Sequence, residues 1–169
     1  KLVPSDRSIY DYFGTSLSLD SNQLAIGSMK NNSTGRAYIF KDSANQYREK
    51  YKISSKDIEA TDMFGHSVFL KKGWLVVGAP EEDHDTIGIN QMGSSGSAYV
   101  FKEKGNSWVQ VKKLVGLRRN NTQNQGWAVA ITDSFVLTGA YGSFFNDKGK
   151  EEITTGGGGP GAVHYYPRN

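Results

Sequence analysis

The chain contains no cysteine, which excludes a disulfide framework, a thiol nucleophile and a thiolate metal site. No run of about 18 apolar residues occurs, so no segment reads as a membrane-spanning helix, and no membrane insertion within this chain is expected. Sustained helical periodicity is also missing, which leaves no basis for a helical bundle. Proline is scarce, at 4 of 169 residues. Neither sign of charge is in excess: 20 Lys and Arg stand against 17 Asp and Glu, for a net charge of +3 and a pI near 9.0. So mild and scattered a balance does not point to a nucleic acid partner. A chain beginning at Lys1 rather than methionine is expected to be a processed or excised piece whose targeting signal is out of view.

What is abundant is glycine, at 20 residues against about 7% in average proteins, and aromatics reach 12%. That mix suits tight turns between short strands. The glycines recur in order. Phe13-Gly14 is followed by Gly27, Phe64-Gly65 by Gly78, and Gln125-Gly126 by Gly139, and within each copy the two glycines stand 13 apart. A second mark then opens with Gly35, Gly96 and Gly161 and runs to Phe40, Phe101 and Tyr166. From 35 to 65 and from 96 to 126 the distance is 30 residues both times. Only the step between the marks changes, from 27 to 35, 78 to 96 and 139 to 161, which is 8, 18 and 22 residues.

Constant spacing implies a constant unit, and the unit reads as four strands. The first strand covers Ser16 to Leu19, Ser67 to Leu70 and Ala128 to Ile131, and the second Leu24 to Ile26, Leu75 to Val77 and Phe135 to Thr138. The third covers Ala37 to Phe40, Ala98 to Phe101 and Ala162 to Tyr166, and the fourth Tyr47 to Ile53 and Trp108 to Leu114. All are short, rich in β-branched and aromatic residues, and bounded by Gly, Asn, Asp or Ser. The expected fold is all-β, a single array of four-stranded antiparallel sheets stacked as propeller blades. Blade 1 spans about 13–53, blade 2 about 64–114 and blade 3 about 125–166, and residues 1–12 read as the tail of a preceding blade with its connection.

The residues Phe64-Gly65, Gly78-Ala79-Pro80 and the run from Gly96 to Phe101 resemble the FG-GAP repeat, which builds the seven-bladed propeller of integrin α subunits and of many extracellular proteins. The first copy departs from it at Gly27-Ser28, and the third at Gln125-Gly126 and Gly139-Ala140-Tyr141. The resemblance implies a non-enzymatic, extracellular or cell-surface propeller segment acting in adhesion or in binding a protein or glycan. The third copy lacks a fourth strand, and closed propellers carry about 4 to 8 blades. The chain is therefore expected to be part of a longer propeller, or to be completed by further blades or copies of itself as a self-assembling subunit. A module beside a catalytic domain outside this chain is the remaining alternative.

In an up-and-down blade the variable loop shares a face with the connection to the next blade. Function is expected there, on Ser28 to Thr34, Ala79 to Ser95, Ala140 to Pro160, Ser54 to Met63 and Val115 to Asn124. The densest acidic cluster is Glu81, Glu82, Asp83 and Asp85, with His84 among them. Calcium needs about six to eight oxygens, and Glu82, Asp83 and Asp85 are the candidate ligands; the alternative is a solvated acidic loop. The family's Asp-x-Asp-x-Asp-Gly calcium loop between strands one and two has no counterpart here, where those turns hold only Asp20, Lys71-Lys72 and Asp133. Calcium aside, no cofactor is expected. Glu81, His84, Ile87, Tyr141, Phe144 and Phe145 are candidate partner contacts, the apolar ones either as an exposed patch or as anchors for their own loops. Asn31, Asn32 and Asn120 begin glycosylation sequons. His66, His84 and His164 pair with no nucleophile in the pattern, so no catalytic residue is assigned. The remaining repeated residues, Phe13, Gly14, Gly27, Gly35, Phe64, Gly65, Gly78, Gly96, Gly126, Gly139 and Gly161, are expected to be structural.

Overall fold

A computed structural model describes residues 1–30, 34–144, 148 and 159–168. The described strands form three antiparallel sheets, each built of neighbours in sequence, and no helix occurs among the described residues. The first sheet runs β1 (Phe13–Asp20), β2 (Gln23–Ser28), β3 (Arg36–Ser43) and β4 (Gln46–Ile53). The second runs β5 (Ser67–Lys71), β6 (Trp74–Ala79), β7 (Ser97–Lys104) and β8 (Ser107–Leu114). The third holds β9 (Gln125–Ile131), β10 (Phe135–Ala140) and β11 (Ala162–Pro167), with β10 in the middle. The meander follows from the turns. Ala44-Asn45 and Lys72-Gly73 have positive φ at both central residues, the two-residue hairpin geometry whose twist matches that of the strands it joins. The register slips at the same place in two sheets, between Ile39 and Phe40 and between Val100 and Phe101.

Burial explains the residue pattern. β6 and β7 are covered on both faces and read as nearly unbroken apolar runs, whereas the outer strand β4 alternates exposed and covered positions. Between sheets one and two lies a core of Ala25, Ala37, Ile39 and Ile53 against Val68, Leu70, Leu75 and Val77. Between sheets two and three Val76, Ala98, Val100 and Leu114 meet Ile131 and Val136. Phe64 is wedged into the first of these cores, edge-on to Tyr99 at 5.4 Å and Phe101 at 6.2 Å. Its counterpart Phe13 makes the same ring contacts with Tyr38 and Phe40, at 5.5 and 6.1 Å. Leu2 is the one residue from outside the sheet in that cluster.

The repeated glycines mark the joints. Gly27 lets the carbonyl oxygen of Gly65 come within 1.9 Å of where a Cβ would stand, and Gly78 does the same for the carbonyl of Gly126. Any side chain would expel the neighbouring blade. Ser16 Oγ donates to that Gly65 carbonyl at 3.0 Å and Ser67 Oγ to the Gly126 carbonyl at 2.7 Å. Isolated parallel bridges join Gly35 to Phe64 and Gly96 to Gln125.

Candidate functional site on the loop face

Backbone hydrogen bonds gather the variable loops and the inter-blade connections on one face. Glu81 N donates to Asp62 O, Thr122 N to Gly93 O, Asn124 N to Ser94 O, and Lys30 N to Asp11 O. The 18-residue step predicted to be variable is thus laced to the connection that follows blade 2. Arg119 completes the lacing. Its Nη1 donates to Asn90 O at 2.7 Å and its Nη2 to Ser95 Oγ at 2.7 Å, with a further contact to Asp83 O.

Within the acidic cluster Glu82 alone is buried, and Glu81, Asp83, His84 and Asp85 are partly exposed. Glu82 is fully buried. Its Oε1 accepts from Lys113 Nζ at 2.8 Å and from His84 N at 2.9 Å, and its Oε2 from Ser97 Oγ at 2.5 Å. Lys113 Nζ also donates to Asp57 Oδ2 at 2.8 Å, and Tyr99 OH reaches the same oxygen at 3.3 Å. Asp83 Oδ1 accepts from Ser94 N at 2.7 Å, while Asp85 accepts from the amides of Ile87 and Ile89 and from Asn90 Nδ2. Each carboxylate therefore closes a different piece of its own loop. Among the described residues no group of three His, Cys, Asp or Glu side chains is placed to hold a metal ion. The Lys113 ammonium lies against Glu82 and Asp57, whereas Asp83 and Asp85 bond to their own loop, so Glu82, Asp83 and Asp85 are not brought together around one point.

The protonation behaviour follows the packing. Burial and the adjoining Glu82 and Asp57 push the Tyr99 hydroxyl far up. Burial raises Asp57, but hydrogen bonds from Lys113 and Ser55 and the lysine charge outweigh it and hold the carboxyl low. Asp62 goes the other way: burial, reinforced by the charges of Glu82 and Asp83, raises it to about 7 against one hydrogen bond from the Glu59 amide.

Sequence reasoning missed this ionic layer although its signal is in the repeat offsets. Asp6 and Asp57 are 51 apart, as are Gly14 and Gly65; Tyr38 and Tyr99, and Lys52 and Lys113, are 61 apart, as are Gly35 and Gly96. The first blade repeats the motif, with Tyr38 OH donating to Asp6 Oδ1 at 2.9 Å and Lys52 Nζ 3.0 Å from Asp6 Oδ2. Polar positions had to be read at the glycine period to find it. The third blade drops the motif, having Arg118 and His164 at those places. There Gln125, fully buried, donates from Nε2 to Tyr166 OH at 2.7 Å in place of a phenylalanine wedge.

Of the apolar contact candidates, Ile87 is 71% exposed, and Tyr141 is 56% exposed with its ring edge-on to Trp127 at 4.7 Å; Ile89 is exposed as well. Phe144 is half-buried, and Phe145 lies outside the described residues, as do Asn31 and Asn32. Glu81 and His84 are half-buried beside the loop base. Asn120 is half-buried too, its Nδ2 donating to Asn121 O at 2.8 Å. His66 packs against Trp127 at 4.3 Å with the rings tilted by 45°, and burial lowers its pKa, as it does that of His164. A groove of about 640 Å³ opens on the same face, lined by Ile9, Tyr10, Lys30, Thr61, Met63 and Glu81 among others. The hairpin turns at the other end of the strands are polar, built from Ser21-Asn22, Ala44-Asn45, Lys72-Gly73, Gly105-Asn106 and Thr132 to Ser134.

Stacked antiparallel sheets with a glycine at every joint and their variable loops on one face define a β-propeller-type module. The family model described as FG-GAP repeat matches residues 1–40 and 47–101, more than half of the chain, and the chain belongs to that family. The third blade falls outside the match although its three strands repeat the same order. A search of curated proteins returns no match. FG-GAP repeats are generally non-catalytic and typically occur in extracellular or cell-surface proteins.

Proposed function

We propose that this chain is a non-enzymatic binding module of an extracellular or cell-surface protein, taking a protein or glycan ligand on its loop face. The observation that carries this reading is the set of exposed apolar side chains on the loops of that face. Ile9, Tyr10, Ile87, Ile89, Leu117 and Tyr141 are all exposed on the loops of that face, and Ile9 and Tyr10 line a groove with Lys30 and Glu81, while the residues of the hairpin turns themselves are mostly polar. Apolar groups kept in water on rigidly tied loops are contact groups in waiting. The ionic layer beneath holds the long β6–β7 loop in place and so preorganises the surface.

The test is binding of the chain to arrayed glycans and cell-surface proteins, compared with an Ile87→Ser/Ile89→Ser variant and a Tyr10→Ser variant. These side chains are exposed, so the fold is retained and checked by circular dichroism. Affinity for the ligand found is expected to fall about tenfold or more in one of the two, the loss of a single good contact. Binding unchanged by both substitutions and by removal of Thr86 to Gln91 overturns the reading.

A further inference from the structure

We infer that the hairpin end of the joint between blades 2 and 3 binds an acidic polysaccharide, through a surplus of cations that the joint between blades 1 and 2 does not have. The repeat offsets allow the two joints to be compared place by place. At the first, Asp20 and Lys41 of blade 1 meet Lys72 and Glu103 of blade 2, two charges of each sign. They are answered across the joint. Lys41 Nζ lies 2.7 Å from Glu103 Oε1, Gln23 Nε2 donates to Glu103 Oε2 at 3.0 Å, and the Lys72 amide donates to Asp20 Oδ2 at 2.5 Å.

At the second joint the same four places hold Lys71, Lys102, Asp133 and Arg168, three cations to one anion. They follow their counterparts by 51, 61, 61 and 65 residues, as Gly65 follows Gly14, Gly96 follows Gly35, Gly126 follows Gly65 and Gly161 follows Gly96. The single carboxylate is oversubscribed, with Lys71, Lys72 and Arg168 at 3.6, 3.3 and 4.0 Å from Asp133 Oδ1. Lys102 makes no ion pair among the described residues. Trp74 stands where the first joint has Gln23, and its indole takes two cations. Lys102 Nζ is 4.6 Å and the Arg168 guanidinium carbon 5.1 Å from the ring centroid. Cation–π attraction offsets part of the repulsion between them. Arg168 is pinned further, its Nη1 donating to Thr132 O at 3.2 Å and its amide to Ser134 O at 2.9 Å. Cations in surplus and held in place form a preorganised seat for anionic groups.

The surroundings select the occupant. The contacts follow one another along the joint, from Lys72 through Asp133 and Arg168 to Trp74 and Lys102, with Lys72 and Lys102 exposed at the two ends. A row of this kind suits a linear polyanion. An anionic membrane surface would call for apolar side chains at the turn tips, and those tips are Lys71-Lys72-Gly73 and Thr132-Asp133-Ser134. FG-GAP repeats typically occur in extracellular or cell-surface proteins, where the polyanions within reach are sulfated and uronic acid polysaccharides.

This surface lies at the end of the strands opposite the loop face, so the inference does not rest on the loop-face reading. The test titrates the full chain with heparin at a series of NaCl concentrations. Affinity is expected to fall steadily with salt, as counterion release requires, and Lys72→Glu/Lys102→Glu is expected to weaken it about tenfold or more. Arg168→Glu gives the second joint the charge balance of the first, and is expected to abolish binding while the thermal melt is retained. Arg48→Glu/Lys50→Glu, at exposed positions of β4, makes the same change in net charge away from the joint and is expected to lose less than about threefold. Three outcomes overturn the inference: no binding to heparin at low salt, a loss in the β4 variant equal to that in the joint variants, or binding to duplex DNA or phosphatidylserine vesicles as tight as to heparin.

Discussion

A fully buried carboxylate is costly unless it is surrounded by donors, and Glu82 is surrounded by the ammonium of Lys113, the hydroxyl of Ser97 and the amide of His84. Its neighbour Asp62 has no such cation. Burial raises Asp62 to about 7 from 3.8, with Glu82 and Asp83 adding repulsion. Between those two values the folded protein holds a proton that the unfolded chain releases, so this group's contribution to stability falls as the pH rises. Asp62→Asn keeps an oxygen for the Glu59 amide and removes the charge. The variant is expected to be more stable than the parent above about pH 7, level with it below about pH 4, and free of this part of the slope between. Denaturant unfolding across that range checks it. Asp62 was not singled out in the sequence, because a lone aspartate in a polar connection has no feature that announces burial.

Single glycines act through whole sheets, because a strand is positioned by its neighbour's backbone as much as by its own side chains. Gly78→Ala would put a Cβ 1.9 Å from the Gly126 carbonyl and drive blade 3 away from blade 2. It is expected to cost about 1–3 kcal/mol, the range for overpacking a tight contact. Gly139→Ala, at the corresponding place on the open side, is expected to stay within about 0.5 kcal/mol under monomeric conditions, as surface substitutions do. Thermal melts of the two variants at low concentration separate the cases. At this scale the sequence was highly legible. The observed strands contain the segments read as strands and extend them by a few residues, since β-branched runs bounded by Gly, Asn and Asp carry both propensity and punctuation. The polar rebuilding of the third blade around Gln125, His164 and Tyr166 was visible only as a departure from pattern, and its hydrogen bonds were not.

Three sheets in a row have unequal neighbours. The second is covered on both faces, whereas the first and third each turn one face outward. Opening free energy follows covered apolar contact, so amide exchange of the monomer is expected to be slowest in β6 and β7 and fastest in β1 and β11. Equal protection across the three sheets would mean that the outward faces are covered in solution.

The sequence by itself determined the strand order, the blade period, the place where insertions fall and the glycines at the joints. These depend on local propensity and on backbone geometry, which repeat wherever the residues repeat. Only the tertiary structure decided that Glu82 lies in a buried ion pair with Lys113, that Ile87 and Tyr141 are exposed, and that Gly139 has ordinary room beside Ala128 where Gly27 and Gly78 meet a neighbouring carbonyl. Those facts depend on which groups from distant segments meet, and the pairing of a lysine with a glutamate 31 residues away shows in the sequence only as polar residues recurring at the repeat period.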